Sequence, residues 1–143
     1  MAARRVYTIK MLKSPFFILL FFVLVVIAIL HALGLVFFWY VRFTPLDIVV
    51  HFLGGFWVAG MVLWLTVLSG FGKDKNVEPH IFFISLIAGL LVGVGWEIFE
   101  FAIFKPLLLV DKEDYMRDTT IDLVMDISGA LVAAWYFLLN VNR

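Results

Sequence analysis

Seven ionisable side chains fall in stretches of chain that are otherwise almost wholly apolar: Asp47, His51, Glu97, Glu100, Asp118, Asp122 and Asp126. Asp47 and His51 are spaced i,i+4, Glu97 and Glu100 i,i+3, and the three later aspartates i,i+4,i+8, so each group shares one helix face. Six carboxylates and one imidazole make an oxygen-rich donor set suited to a divalent metal ion, Mg²⁺, Mn²⁺ or Ca²⁺ first, with Zn²⁺ or Fe²⁺ drawing on His51. The Glu97/Glu100 pair could bridge two ions, the arrangement of two-metal phosphoryl chemistry. On this reading Glu97, Glu100, Asp118, Asp122 and Asp126 are metal ligands. His51, oriented by Asp47 one turn away, is a general base or a further ligand. The absence of cysteine excludes thiolate zinc, iron–sulfur clusters, disulfides and thiol nucleophiles.

The elements that must position these groups are membrane helices. Of 143 residues, 64% are hydrophobic and only 15% charged, which is not the balance of a water-soluble globule. Lys plus Arg equals Asp plus Glu at 11 each, so no net charge draws the chain to nucleic acid. Spanning a hydrocarbon core takes about 20 mostly apolar residues in a helix. Four stretches qualify, approximately 15–40, 45–68, 80–104 and 118–140. The second ends at the Ser69-Gly70-Phe71-Gly72 turn and the third by Pro106, which lacks an amide hydrogen. The expectation is a single all-α domain over residues 1–143, a polytopic four-helix membrane bundle. The N-terminal run is too long for a signal h-region and is read as a retained anchor.

Seven basic residues flank one side of the spans (Arg4, Arg5, Lys10, Lys13, Lys73, Lys75, Arg143) and four the other (Arg42, Lys105, Lys112, Arg117). This bias predicts both termini in the cytoplasm, with the chain in the inner, cytoplasmic membrane. Five acids (Asp74, Glu78, Asp111, Glu113, Asp114) are expected in connecting loops. The other six and His51 come to one level. Asp47 and His51 lie within about 9 Å of the outer end of their helix, Glu97 and Glu100 within about 12 Å, and Asp126 about 12 Å below Asp118. No Lys or Arg lies inside any span as a partner. A charge at a helix centre costs roughly 2.5–3.5 kcal/mol, so these groups must face the bundle interior and be neutralised by protons or cations. Any one of the acids could be a protonated structural group, but the cost of a purely structural reading multiplies over all of them. His31 has no acid at helical spacing and reads as a satisfied bundle histidine. Gly54, Gly55, Gly60, Gly89, Gly93 and Gly95 read as close helix packing, and Trp39–Tyr40 and Trp135–Tyr136 as interfacial aromatics.

Three phrases carry a family resemblance: Asp47-Ile-Val-Val-His51-Phe52 with Gly54-Gly55-Phe56, then Trp96-Glu97-Ile-Phe-Glu100-Phe101, then Asp118-Thr119-Thr120-Ile-Asp122 leading to Asp126-Ile-Ser-Gly129-Ala130-Leu131. In this order they resemble the small inner-membrane proteins of the VanZ-like group, particularly its YjdF-like branch. The resemblance implies that Asp47, His51, Glu97, Glu100, Asp118 and Asp122 occupy the family's polar positions, with Asp126 a looser match. It implies no particular reaction. Aspartates four apart also resemble CDP-alcohol phosphotransferases, but the Asp-Gly-x-x-Ala-Arg element that should precede them is absent.

Three functions compete. The first is a metal-dependent hydrolase or transferase acting on a lipid or lipid-linked phosphate or ester headgroup, with Arg42, Lys105 and Arg117 on the right side to hold a phosphate or, equally, to snorkel. The second is a cation or proton transporter or channel, which intramembrane acids commonly mark. The inner half offers such a path little beyond Thr66, Ser85 and Tyr136. The third is a non-catalytic lipid-binding or partner subunit. The partner throughout is membrane lipid, and four helices enclose so little space that a homodimer is reasonable on size grounds.

Overall fold

The computed structural model describes residues 14–43, 45–68, 80–103 and 111–141. Within them the chain forms α1 (Pro15–Val36), the short α2 (Trp39–Arg42), α3 (Pro45–Leu63), α4 (Ile81–Ile103) and α5 (Lys112–Val141). A π-helical turn, Trp64–Leu68, continues α3. Four of these helices are long and apolar enough to cross a membrane: Pro15–Val36, Pro45–Thr66, Ile81–Ile103 and Lys112–Asn140. The protein is a four-helix membrane bundle.

Local chemistry explains the ends. Ser14 caps α1, its hydroxyl accepting from the Phe17 amide at 3.2 Å, and Pro15 occupies the first turn where its missing N–H costs nothing. The α1 helix stops at Val36, short of the Tyr40 end expected, because Phe38 adopts the left-handed conformation (φ 56°). A non-glycine residue held there is strained. The reversal folds α2 back, so that Tyr40 lies against Gly34. At the other junction α5 starts at Lys112, ahead of the Asp118 expected. Glu113 and Asp114 are therefore not loop acids. They sit in the first helical turn, where carboxylates complement the exposed amide ends, with Asp111 accepting from the Lys112 amide at 2.7 Å. The Ser69–Gly72 turn, Asp74, Glu78 and Pro106 lie outside the described residues, as do basic residues Arg4, Arg5, Lys10, Lys13, Lys73, Lys75, Lys105 and Arg143.

The packing is a tight trio of α3, α4 and α5 with α1 leaning on α3 from outside. Glycines permit the tightest seam. A Cβ on Gly55 would run into the Asp126 carbonyl, and one on Gly129 into the Phe52 carbonyl, so α3 and α5 touch backbone to backbone. Gly89 and Gly93 let α4 close on the same stretch of α5. Gly95, expected to share this role, has nothing within 4 Å of its Cβ position among the described residues and takes no part in their packing. The apolar core gathers at the opposite end from the acids, around Phe16, Leu20, Leu63, Ile81 and Phe137, with the Phe16 ring edge-on to Phe137 at 5.3 Å. Most other large apolar side chains, including Phe22, Leu91 and Ile98, face outward, as lipid-facing surface must. Two hydroxyls on α5 satisfy themselves on their own helix, Thr120 on the Met116 carbonyl and Ser128 on the Val124 carbonyl.

Candidate metal centre

His51 is the hub. Its ring is buried on α3 one turn before Gly55, which admits α5, and its two nitrogens look in opposite directions. Nδ1 lies 3.2 Å from Asp126 Oδ2. Nε2 lies 3.7 Å from Asp47 Oδ1, one turn back on α3, and 4.0 Å from Asp122 Oδ1 on α5. One nitrogen of His51 and one oxygen each of Asp47 and Asp122 fall within 4.8 Å of one another. Ligand atoms about 2.0–2.2 Å from a shared ion fit inside that separation. His51 and Asp122 are buried and Asp47 is half-buried.

The arrangement divides the residues read from sequence into two layers. Asp126, expected as a ligand, instead meets the far nitrogen of His51. A hydrogen bond between Nδ1 and the Asp126 carboxylate fixes the ring plane and turns Nε2 toward Asp47 and Asp122. Asp47, read from sequence as orienting the ring, lies with Asp122 on its Nε2 side, and Asp126 alone of the three aspartates lies at Nδ1. Gly93 makes room for this, since a Cβ there would stand 2.5 Å from Asp126 Oδ2.

The remaining acids surround this trio without joining it. Glu97 is buried, and Thr119 donates to its Oε2 at 2.7 Å across the α4–α5 interface. Its Oε1 is buried with no hydrogen-bond partner among the described residues. Glu100 is half-buried and within electrostatic reach of Asp47, Glu97, His51 and Asp118. Asp118 is exposed at the edge of the cluster, within reach of Asp47 and Asp122. Carboxylates from α3, α4 and α5 therefore do meet at one level. Arg42 and Arg117 are exposed, and Lys105 lies outside the described residues.

Two contributors were not singled out from sequence. Thr119 stands three and seven residues before Asp122 and Asp126, on the same helical face, and that periodicity was the available signal. Tyr40 had none, because the left-handed turn at Phe38 brings it in. Its hydroxyl is 2.7 Å from His31 Nδ1, so His31 is satisfied by a residue nine positions away. Burial, then the Asp47 and Glu100 carboxylates, push its phenol up to about 12.

A cavity of about 280 Å³ adjoins the hub between α1, α3 and α4, with His31, His51, Trp96 and Asp126 among its lining residues. The model of one protein family, described as "Predicted membrane protein (DUF2238)", matches residues 3–143. No curated protein and no solved structure matches the chain.

Proposed function

The chain belongs to this family of membrane proteins, and on that premise we propose that it binds a divalent metal ion at Asp47, His51 and Asp122 and acts on the headgroup of a membrane lipid. The observation that carries the reading is the convergence of Nε2 and two carboxylate oxygens from two helices, backed by a carboxylate on Nδ1. Metal-binding histidines are held in this way. One imidazole and two carboxylates favour ions that accept nitrogen, Mn²⁺, Fe²⁺ and Zn²⁺, over Ca²⁺, which takes six to eight oxygens. The bound ion supplies Lewis acidity toward a phosphoryl or ester oxygen and an acidified water. His51 Nε2, Asp47 and Asp122 hold it, and Asp126 aims the ring. Glu100, half-buried beside this set and outside it, exchanges the proton that hydrolysis or transfer requires.

The basic-residue bias supports both termini in the cytoplasm and a site in the outer half of the inner membrane. The three ordered phrases support kinship with the VanZ-like group. The transporter reading is disfavoured by the apolar core: Leu20, Leu63, Ile81 and Phe137 close the bundle at the end opposite the acids, each 1% exposed or less. Elemental analysis of protein purified from membranes tests the proposal. Metal near one equivalent in the wild type, lost in His51→Ala and Asp122→Asn, is expected. Equal metal content in wild type and both variants, or none in the wild type, refutes it.

A further inference from the structure

The cavity beside the hub has the shape of an amphiphile's site. At its rim stand His31, His51, Asp126 and the Trp96 indole, whose ring is edge-on to His31 at 6.2 Å. Away from the rim its walls are Leu24, Ile27, Ala28, Val58 and Val92. Leu24 and Val58 each lie seven residues from the histidine of their own helix, so the apolar part runs about 10 Å along the helix axes. At about 280 Å³ the space is nearly twice the roughly 150 Å³ of a dry, apolar cavity that holds benzene, which suits one hydrocarbon chain and not a pair.

Its side wall faces lipid. Leu24, Val92 and Trp96 are 41%, 50% and 38% exposed, and Ala28 is exposed beside them, so a chain can enter sideways from the bilayer. The floor is made by a glycine that packing does not require. A Cβ at Gly54 would find nothing nearer than Asp126 Oδ1 at 3.9 Å, whereas Gly55 next to it is pressed against α5. The space over Gly54 is cavity, not seam. His31, satisfied by Tyr40 through Nδ1, still borders this space.

We propose that this cavity holds one hydrocarbon chain of a membrane amphiphile, with the polar head at the His31–His51 rim and the chain end near Leu24 and Val58. The inference rests on the lipid-headgroup reading above and adds the substrate class: an amphiphile bound by a single chain, head toward His51, the residue that the cavity shares with the ligand set. Orientation follows from chemistry. A polar head is stabilised by the His31 and His51 imidazoles and the Trp96 indole N–H, and the apolar walls offer it nothing.

Photolabelling in reconstituted phosphatidylcholine vesicles tests it, using octyl phosphate, whose extended chain matches the apolar length, carrying a diazirine either at the terminal carbon or beside the phosphate. The terminal probe is expected to mark Val58 and Leu24, and the head-side probe His31 and Trp96, above a background on lipid-facing Phe22 and Leu91. Ala28→Trp, on the lipid side of α1 where no packing is lost, should abolish the Val58 adduct and spare the background; Val58→Phe should abolish the Leu24 adduct. Labelling that stays on Phe22 and Leu91 alone, or that both plugging variants leave unchanged, or whose two probes mark the reverse residues, overturns the proposal. Metal content measured on the same samples separates the two readings. A wild type that binds metal but never labels Val58 sinks the chain site alone. One that labels Val58 without metal sinks the metal site alone.

Discussion

Replacing Asp126 with asparagine separates an orienting carboxylate from a ligand. The side chain keeps its shape beside Gly93 and can still accept from His51 Nδ1, but it loses the negative charge now 3.2 Å from that nitrogen. Loss of such a partner typically weakens metal binding 10–100-fold, or about 1.4–2.8 kcal/mol. Loss of a direct ligand removes one of three protein donors and costs more. Asp126→Asn is therefore expected to bind the ion between one and two orders of magnitude more weakly than wild type, with Asp122→Asn weaker still. The assay is a chelator competition on purified protein, read as the metal dissociation constant, with far-ultraviolet circular dichroism confirming retained helix. An Asp126→Asn protein with wild-type affinity refutes the orienting role. One as weak as Asp122→Asn makes Asp126 a ligand and refutes the two-layer site.

Further outcomes follow from the same contacts. Gly129→Ala places a methyl against the Phe52 carbonyl and should destabilise the bundle by about 1–3 kcal/mol, while Gly95→Ala, meeting nothing within 4 Å, should stabilise it by up to about 1 kcal/mol; thermal unfolding in detergent reads both signs. Thr119→Val removes the hydroxyl at 2.7 Å from Glu97 and leaves both carboxyl oxygens of a buried group without a partner among the described residues, a loss of about 1–3 kcal/mol by the same measurement. The Tyr40 phenol, pushed up to about 12, binds its proton more tightly folded than unfolded. Its contribution to stability is thus complete below pH 10 and declines as pH rises from about 10 to 12. The 295 nm difference titration between wild type and Tyr40→Phe should show that tyrosine ionising near pH 12, and a midpoint near 10 would show the phenol is not enclosed.

Composition and helical period are properties of the chain read along its length, and they were enough for the membrane bundle, its number of spans and the common level of the acids. Depth follows from counting residues at about 1.5 Å each, and a shared face from i,i+4 spacing. Both are local, so Asp47 with His51, and Asp122 with Asp126, were legible as pairs. The early start of α5 was less so, because Glu113 and Asp114 look like loop residues until the favourable placement of acids in a first turn is weighed.

What no period along one helix contains is the rotation of each helix about its axis and the closeness of its neighbours. Those depend on Gly55 and Gly129 meeting the facing backbone, which decides that Asp126 reaches Nδ1 while Asp122 faces Nε2. They depend also on the left-handed Phe38, which carries Tyr40 back to His31. The chain alone determined which groups share a level in the bilayer. The tertiary structure decided which of them touch, because lateral contact between helices is set by side-chain volume at the seams and by the turns between them.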